Sequence, residues 1–77
     1  MPSHVTKETM HLKGIVSSNV AAVGYDSAAR TMRVQFHSGG TYDYLNVDAA
    51  LYQEMLQPHP WRRVGTRVKA HGFKKIA

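Results

Sequence analysis

The sequence predicts an α+β domain in which two short helices pack on one face of a three-stranded, or four-stranded, antiparallel β-meander. Apolar and polar residues alternate over Thr31–Phe36 and over Thr41–Tyr44, which is the period of a half-buried strand. Ser38-Gly39-Gly40 between them suits the tight turn of a hairpin. Two later segments place apolar residues at helical spacing. Because a lone hairpin is marginal in water, we expect these helices to cover its apolar face.

The bulk composition limits the chain to one small domain. Its 77 residues leave no room for two hydrophobic cores. The absence of cysteine excludes a disulfide framework and a cysteine-based zinc site, and it is consistent with a cytoplasmic protein. No apolar run approaches the roughly 20 residues of a membrane span. The first residues also lack the apolar core of a signal peptide. We therefore expect a cytoplasmic protein with no membrane partner.

The first half of the chain predicts the sheet. Residues 1–13 are polar and irregular, so we expect a partly disordered N-terminal segment, in which Met10–Leu12 can add a short extended piece. The single domain is expected over residues 14–77. Ser17-Ser18-Asn19 indicates a turn, and Asp26–Arg30 indicates the turn that follows the first strand. Strict alternation in that strand predicts two faces: Val20, Ala22 and Gly24 on one side, and Ala21, Val23 and Tyr25 on the other.

The second half predicts the two helices. Asn46-Val47-Asp48 can cap a helix over Ala49–Gln57, which Pro58 ends. Pro60 suits the first turn of a second helix that Gly72 ends. Phe73–Ile76 can lay a last extended piece on the body. The predicted core consists of Val23, Tyr25, Val34, Phe36, Tyr42, Tyr44, Leu51, Met55, Trp61 and Val68.

Charge is divided unevenly along the chain. Residues 1–54 have a net charge of −1, whereas residues 55–77 carry six basic residues and no acid. A basic segment on a near-neutral body is typical of polyanion binding, and a solvated face that keeps a small protein soluble explains it equally well. The residues predicted to contact nucleic acid or another partner are Arg62, Arg63, Arg67, Lys69, Lys74, Lys75 and Arg33.

The aromatic residues Tyr42, Tyr44 and Trp61 have two interpretations. The tyrosines could form a platform on which single-stranded bases stack beside the basic helix. Alternatively they fill the sheet face under the helices, with their hydroxyls at the edge. Since the tyrosines share the side that the apolar residues require, we favour the core interpretation. Trp61 is interpreted in the same way, as a helix anchor first.

No residue pattern indicates catalysis. The acids are few and scattered, without a pair for general acid–base chemistry. His37, His59 and His71 fall in different elements without the spacing of metal ligands. Gly39-Gly40 precedes a strand rather than a helix, which argues against a phosphate-binding loop. We therefore expect no enzyme activity, no catalytic residue, no metal and no cofactor.

Two stretches resemble a known family. Ser17–Asp26, which reads Ser-Ser-Asn-Val-Ala-Ala-Val-Gly-Tyr-Asp, resembles the opening of the KTSC domain, and Val34–Val47, which contains a Tyr-x-Tyr motif, resembles its centre. This family is named after a C-terminal extension of some lysyl-tRNA synthetases and includes free-standing bacterial or phage proteins. The chain departs from the family at Asp48 and Ala49, where prolines are usual, and near Arg63, where aromatic residues are usual. The resemblance implies a small α+β domain with a suggested role in RNA binding and no catalytic residue.

These observations predict a non-enzymatic module that binds RNA, or another nucleic acid, through its basic C-terminal helix. The alternative is a small phage or mobile-element protein that binds an acidic surface of a host protein complex and modulates it. A monomer is favoured, and a homodimer through the open sheet face or an edge strand is the other possibility.

Overall fold

The structure is a computed structural model, and it describes residues 11–77. The elements in chain order are β1 (Lys13–Gly14), β2 (Val20–Asp26), β3 (Thr31–Phe36), β4 (Thr41–Tyr44), α1 (Ala49–Met55), α2 (Pro60–Lys69) and β5 (Phe73–Lys75). The strands form one antiparallel sheet of order β1-β2-β3-β4-β5. The predicted α+β class is confirmed, whereas the predicted number of strands, three or four, is too low because residues 11–77 form a sheet of five.

The two strands beyond the predicted meander lie at the sheet edges, and the last of them falls within the extended piece expected over Phe73–Ile76. β1 contains two residues and pairs Lys13 with Val23, and β5 contains three and pairs Phe73 with Tyr44. Segments this short have too little alternation to identify them as strands. Of the extended piece expected over Met10–Leu12, Met10 lies outside the described residues, and the strand begins just after Leu12, at Lys13. The part of the expected N-terminal disorder that falls on residues 1–10 lies outside the described residues.

A β-bulge in β2 corrects the predicted faces of that strand. Val20 pairs with Phe36 and Ala22 pairs with Gln35, so Ala21 is an extra residue in the ladder. Beyond the bulge the order of faces is reversed relative to strict alternation. Val20 therefore shares the helix-covered face with Val23, and both side chains are fully buried. The prediction that Val20 lies on the face of Ala22 and Gly24 is wrong.

The core lies between the helices and one face of the sheet. Of the predicted core residues, six are buried and four are partly buried against them. The buried residues are Val23, Val34, Tyr44, Leu51, Met55 and Val68, and the partly buried ones are Tyr25, Phe36, Tyr42 and Trp61.

Helix α1 begins where the capping residues predicted it. Asp48 is the N-cap, and its Oδ1 accepts a hydrogen bond from the backbone N–H of Leu51 at 2.9 Å. The helix ends at Met55, two residues before the predicted end at Gln57. Tyr25 ties this region to the sheet, because its hydroxyl donates to the backbone carbonyl of Val47 and its ring stacks on Tyr52 with centroids 5.0 Å apart.

Helix α2 begins at Pro60 as predicted and ends at Lys69, before Gly72. Val64 and Val68 are buried beneath it, and Trp61 is half-buried at its side. Glycine at position 65 leaves room for the indole of Trp61, because a Cβ there would lie 3.0 Å from Cδ2 of that ring. The indole therefore lies directly against the helix backbone. Within residues 11–77, neither helix is long and apolar enough to cross a membrane.

Candidate nucleic-acid interface

Aromatic side chains line a groove between α2 and the adjacent end of the sheet. Cross-strand register places Tyr44 beside Phe73, and strand alternation brings Phe36 and Tyr42 to the same helix-covered face. Trp61 closes the groove from α2. The groove has a volume of about 510 Å³, and its lining consists of Phe36, Ser38, Tyr42, Tyr44, Trp61, Lys69 and Phe73.

The rings form one continuous cluster. Trp61 stands edge-to-face on Phe36, with centroids 5.0 Å apart and an interplanar angle of 82°. Phe73 lies against Tyr42 and Tyr44, with centroid distances of 5.8 Å and 5.6 Å. Aromatic contacts of this kind stabilise a fold beyond the area they bury. The cluster therefore joins α2 to β3 through Trp61 and Phe36, and β5 to β4 through Phe73.

The two tyrosines differ in exposure, which separates the two interpretations of the sequence. Tyr44 is 5% exposed and forms part of the core. Burial raises the pKa of the Tyr44 hydroxyl above its usual value, and the neighbouring Tyr42 raises it further. Tyr42 and Trp61 are only partly buried, so each packs against the core with one side and lines the groove with the other.

Phe73 was absent from the site residues expected from sequence. Phe73 is 56% exposed, whereas every other phenylalanine, tyrosine and tryptophan among the described residues is buried or partly buried. In the sequence it only began a possible extended piece after Gly72. What places it over the tyrosines is the pairing of β5 with β4, which a three-residue strand does not reveal.

Three of the predicted basic residues lie around this groove. Lys69 is part of its lining. Arg62 precedes Lys69 by seven residues, which is close to two helical turns, so both project from the same side of α2. Lys75 pairs with Tyr42 across β4 and β5 and therefore shares its sheet face. These three exposed residues, Arg62, Lys69 and Lys75, are called the basic rim below.

Two other arginines lie on the opposite flank of α2, next to α1. Arg63 donates from Nη1 to Oε1 of Glu54 at 2.8 Å and from Nη2 to the Glu54 carbonyl at 3.0 Å. Arg67 follows Arg63 by four residues and thus lies on the same flank. The structure therefore separates Arg63 and Arg67 from the basic rim, although all four predicted helix cations are exposed.

Arg33 and Lys74 lie on the open sheet face, which is the face opposite the helices. Arg33 donates from Nε to Oδ1 of Asp43 at 2.8 Å and from Nη2 to Oδ2 at 3.1 Å. The hydrogen bond to Asp43 raises the pKa of Arg33, with the negative charge adding to it and burial opposing it. Lys74 is the cross-strand neighbour of Asp43 on the other side. Arg33 thus cross-links β3 and β4.

Removing the charge of Asp43 should cost measurable stability. Asp43→Asn breaks a bidentate pair whose carboxylate side chain is 10% exposed, so we expect the free energy of unfolding to fall by about 1–3 kcal/mol. The matched control is Glu54→Gln, because that pair is exposed on both sides and should be worth less than about 1 kcal/mol. Urea unfolding followed by circular dichroism measures both. Equal losses in the two variants would contradict a special role for the Arg33–Asp43 pair.

Two histidine side chains lie within hydrogen-bond distance of backbone carbonyls in other loops. The His37 Nε2 atom lies 2.9 Å from the Ser17 carbonyl oxygen, and the His71 Nδ1 atom lies 3.0 Å from the Leu45 carbonyl oxygen. Among residues 11–77, no three histidine, cysteine, aspartate or glutamate side chains are grouped as a metal site would require. The arrangement offers aromatic surfaces and cations, which are binding groups.

Comparison with known proteins agrees with this architecture. The sequence model of the KTSC domain matches residues 16–59. The crystal structure of a KTSC domain protein from Yersinia pestis superposes with a TM-score of 0.79 at 30% sequence identity, and the match covers 88% of this chain and 99% of that one. No curated protein matches the chain.

Proposed function

This chain belongs to the KTSC domain family, and we propose that it is a non-enzymatic cytoplasmic module that binds nucleic acid, with RNA favoured, through helix α2. The observation that carries this proposal is the uneven distribution of charge between residues 1–54 and residues 55–77. All six basic residues after Glu54 lie on α2 or β5, they are exposed, and residues 55–77 contain no acid. Three of these cations form the basic rim of the groove, and the other three lie on the flank of α2 next to α1 or on the open sheet face.

The form of the basic surface suits phosphate contacts. Arg62 and Lys69 are separated by about 10 Å along the helix axis, so they can reach different phosphates of one strand. Arginine forms bidentate hydrogen bonds to phosphate, and lysine provides a point charge. RNA is favoured because the family takes its name from an extension of lysyl-tRNA synthetases.

Fluorescence anisotropy with a labelled single-stranded RNA, over a series of salt concentrations, tests this proposal. The logarithm of the association constant should fall linearly with the logarithm of the salt concentration, with a slope of about −0.7 per phosphate contacted. DNA of the same sequence, measured in parallel, tests the preference for RNA. Absence of affinity at low salt would overturn nucleic-acid binding.

The rival function is the modulation of a host protein complex through an acidic surface on that partner. Such a surface would meet the same exposed cations. A pull-down from bacterial lysate after nuclease treatment separates the two functions. A protein retained after digestion, together with no RNA affinity at low salt, would favour the rival. Light scattering on the same sample tests our proposal that the chain is a monomer rather than a homodimer.

A further inference from the structure

We propose that the aromatic groove holds an unpaired base of the bound strand, stacked on Phe73 beside Tyr42, while the basic rim contacts the flanking phosphates. This inference rests on the proposed function and adds a property to it. A module that uses the groove selects single-stranded or looped nucleic acid over duplexes.

Phe73 is exposed to solvent although it belongs to the aromatic cluster. Its ring contacts both Tyr42 and Tyr44, yet 56% of the residue is exposed. The other exposed large apolar residues in the described chain are aliphatic: Leu12, Val16, Leu45 and Ile76. Phe73 therefore combines a place in the groove lining with aromatic surface that solvent reaches, which is what stacking of an aromatic ligand requires.

The cations around the groove favour a nucleotide over an apolar peptide as its ligand. Lys69 lines the groove, Lys75 shares the sheet face of Tyr42, and helical spacing puts Arg62 on the same side of α2 as Lys69. The described lining contains no carboxylate. An apolar peptide would gain nothing from three cations, whereas a nucleotide joins an aromatic base to an anionic phosphate.

Selectivity for single strands follows from the chemistry of stacking. In a duplex the base faces are already stacked on their neighbours and the bases are paired. An unpaired base in a single strand, loop or bulge can turn out and stack on a protein aromatic side chain. The basic rim, by contrast, contacts phosphates that both forms of nucleic acid carry.

The test is the affinity of Phe73→Ala for a labelled single-stranded RNA and for the same RNA annealed to its complement. Loss of one stacked base costs about 1–3 kcal/mol, so binding of the single strand should weaken by roughly 5- to 150-fold. Binding of the duplex should change less than about twofold, because the rim is intact. Val16→Ala is the matched control, since Val16 is 65% exposed and lies outside the groove lining. It should bind both RNAs as the wild type does.

Two further variants separate stacking from simple apolar packing. Phe73→Tyr keeps an aromatic face and should retain wild-type affinity for the single strand, whereas Phe73→Leu keeps apolar bulk and should lose it. Circular dichroism and the emission of Trp61, the one tryptophan of the chain, check the fold of each variant.

The outcomes distinguish this inference from the proposed function. If RNA binds but Phe73→Ala retains full single-strand affinity, or loses duplex affinity equally, the groove does not hold a base and the basic surface alone accounts for binding. If the wild type binds neither RNA at low salt, nucleic-acid binding itself is overturned.

Discussion

Replacing the basic rim by glutamine, in the triple variant Arg62→Gln, Lys69→Gln and Lys75→Gln, should weaken the binding of single-stranded RNA on the order of 100-fold at low salt. Each exposed ion pair with a phosphate is worth up to about 1 kcal/mol, and removing all three together gives this factor. The salt slope should also become shallower by about 2, since each phosphate that a single strand pairs with a cation contributes about 0.7. Fluorescence anisotropy over a salt series measures both quantities.

The structure supplies a control with the same net charge. Arg63, Arg67 and Lys74 lie outside the basic rim, and Arg63 is held by Glu54. Their replacement by glutamine removes the same three charges, so it reduces the long-range attraction equally but leaves the rim intact. We expect a loss of less than about 10-fold. Equal losses in the two triple variants would mean that net charge, rather than the position of the rim, determines binding.

The largest effect on stability is expected from Met32→Ala. Met32 is fully buried on β3, the middle strand of the sheet, where its cross-strand neighbours are Tyr25 and Tyr44. Truncation removes apolar packing and leaves a cavity, so the free energy of unfolding should fall by about 2–5 kcal/mol. The total free energy of unfolding of a domain this small is on the order of 5–10 kcal/mol, so this loss is a large fraction of it. The urea midpoint should therefore fall by roughly 2 M.

Two substitutions bracket this effect. Met32→Leu conserves volume and should cost less than about 1.5 kcal/mol. Val16→Ala truncates an exposed side chain and should change stability by less than about 0.5 kcal/mol. If Met32→Ala unfolded at the same urea concentration as Val16→Ala, the placement of the core between the helices and this sheet face would be wrong.

The parts of the fold that local chemistry determines were predictable from sequence. Alternation identified β3 and β4, Asp48 identified the start of α1, and Pro60 identified the start of α2. In each case a side chain acts within its own element, through strand periodicity or through a cap.

The parts that depend on pairing between distant segments were not predictable. Neither β1 nor β5 is long enough to show a period, so an extended piece could be expected at Phe73–Ile76 but its pairing with β4 could not. The bulge at Ala21 is a property of the β2–β3 register rather than of the β2 sequence. Strict alternation therefore assigned Val20 to the wrong face.

Some residues of the candidate site could likewise be predicted from sequence, and others could not. Sequence identified the cations, because a cluster of charge is visible along the chain. It could not separate the basic rim from Arg63, which Glu54 holds, or from Arg33, which Asp43 holds. Those separations follow from the packing of α2 on α1 and of β3 on β4. Phe73 was missed for the same reason, since only the pairing of β5 brings it to the tyrosines.

We propose that single-stranded RNA occupies the groove and its basic rim, and mapping of amide chemical shifts on the ¹⁵N-labelled protein tests this occupancy most directly. On addition of a short single-stranded RNA, the largest changes should fall on Ser38, Tyr42, Lys69, Phe73 and the indole N–H of Trp61, which gives its own signal because the chain has one tryptophan. Gly24, Arg33 and Gln35 on the open sheet face should change little. Changes confined to that open face, or none at saturating RNA in low salt, would contradict the claim.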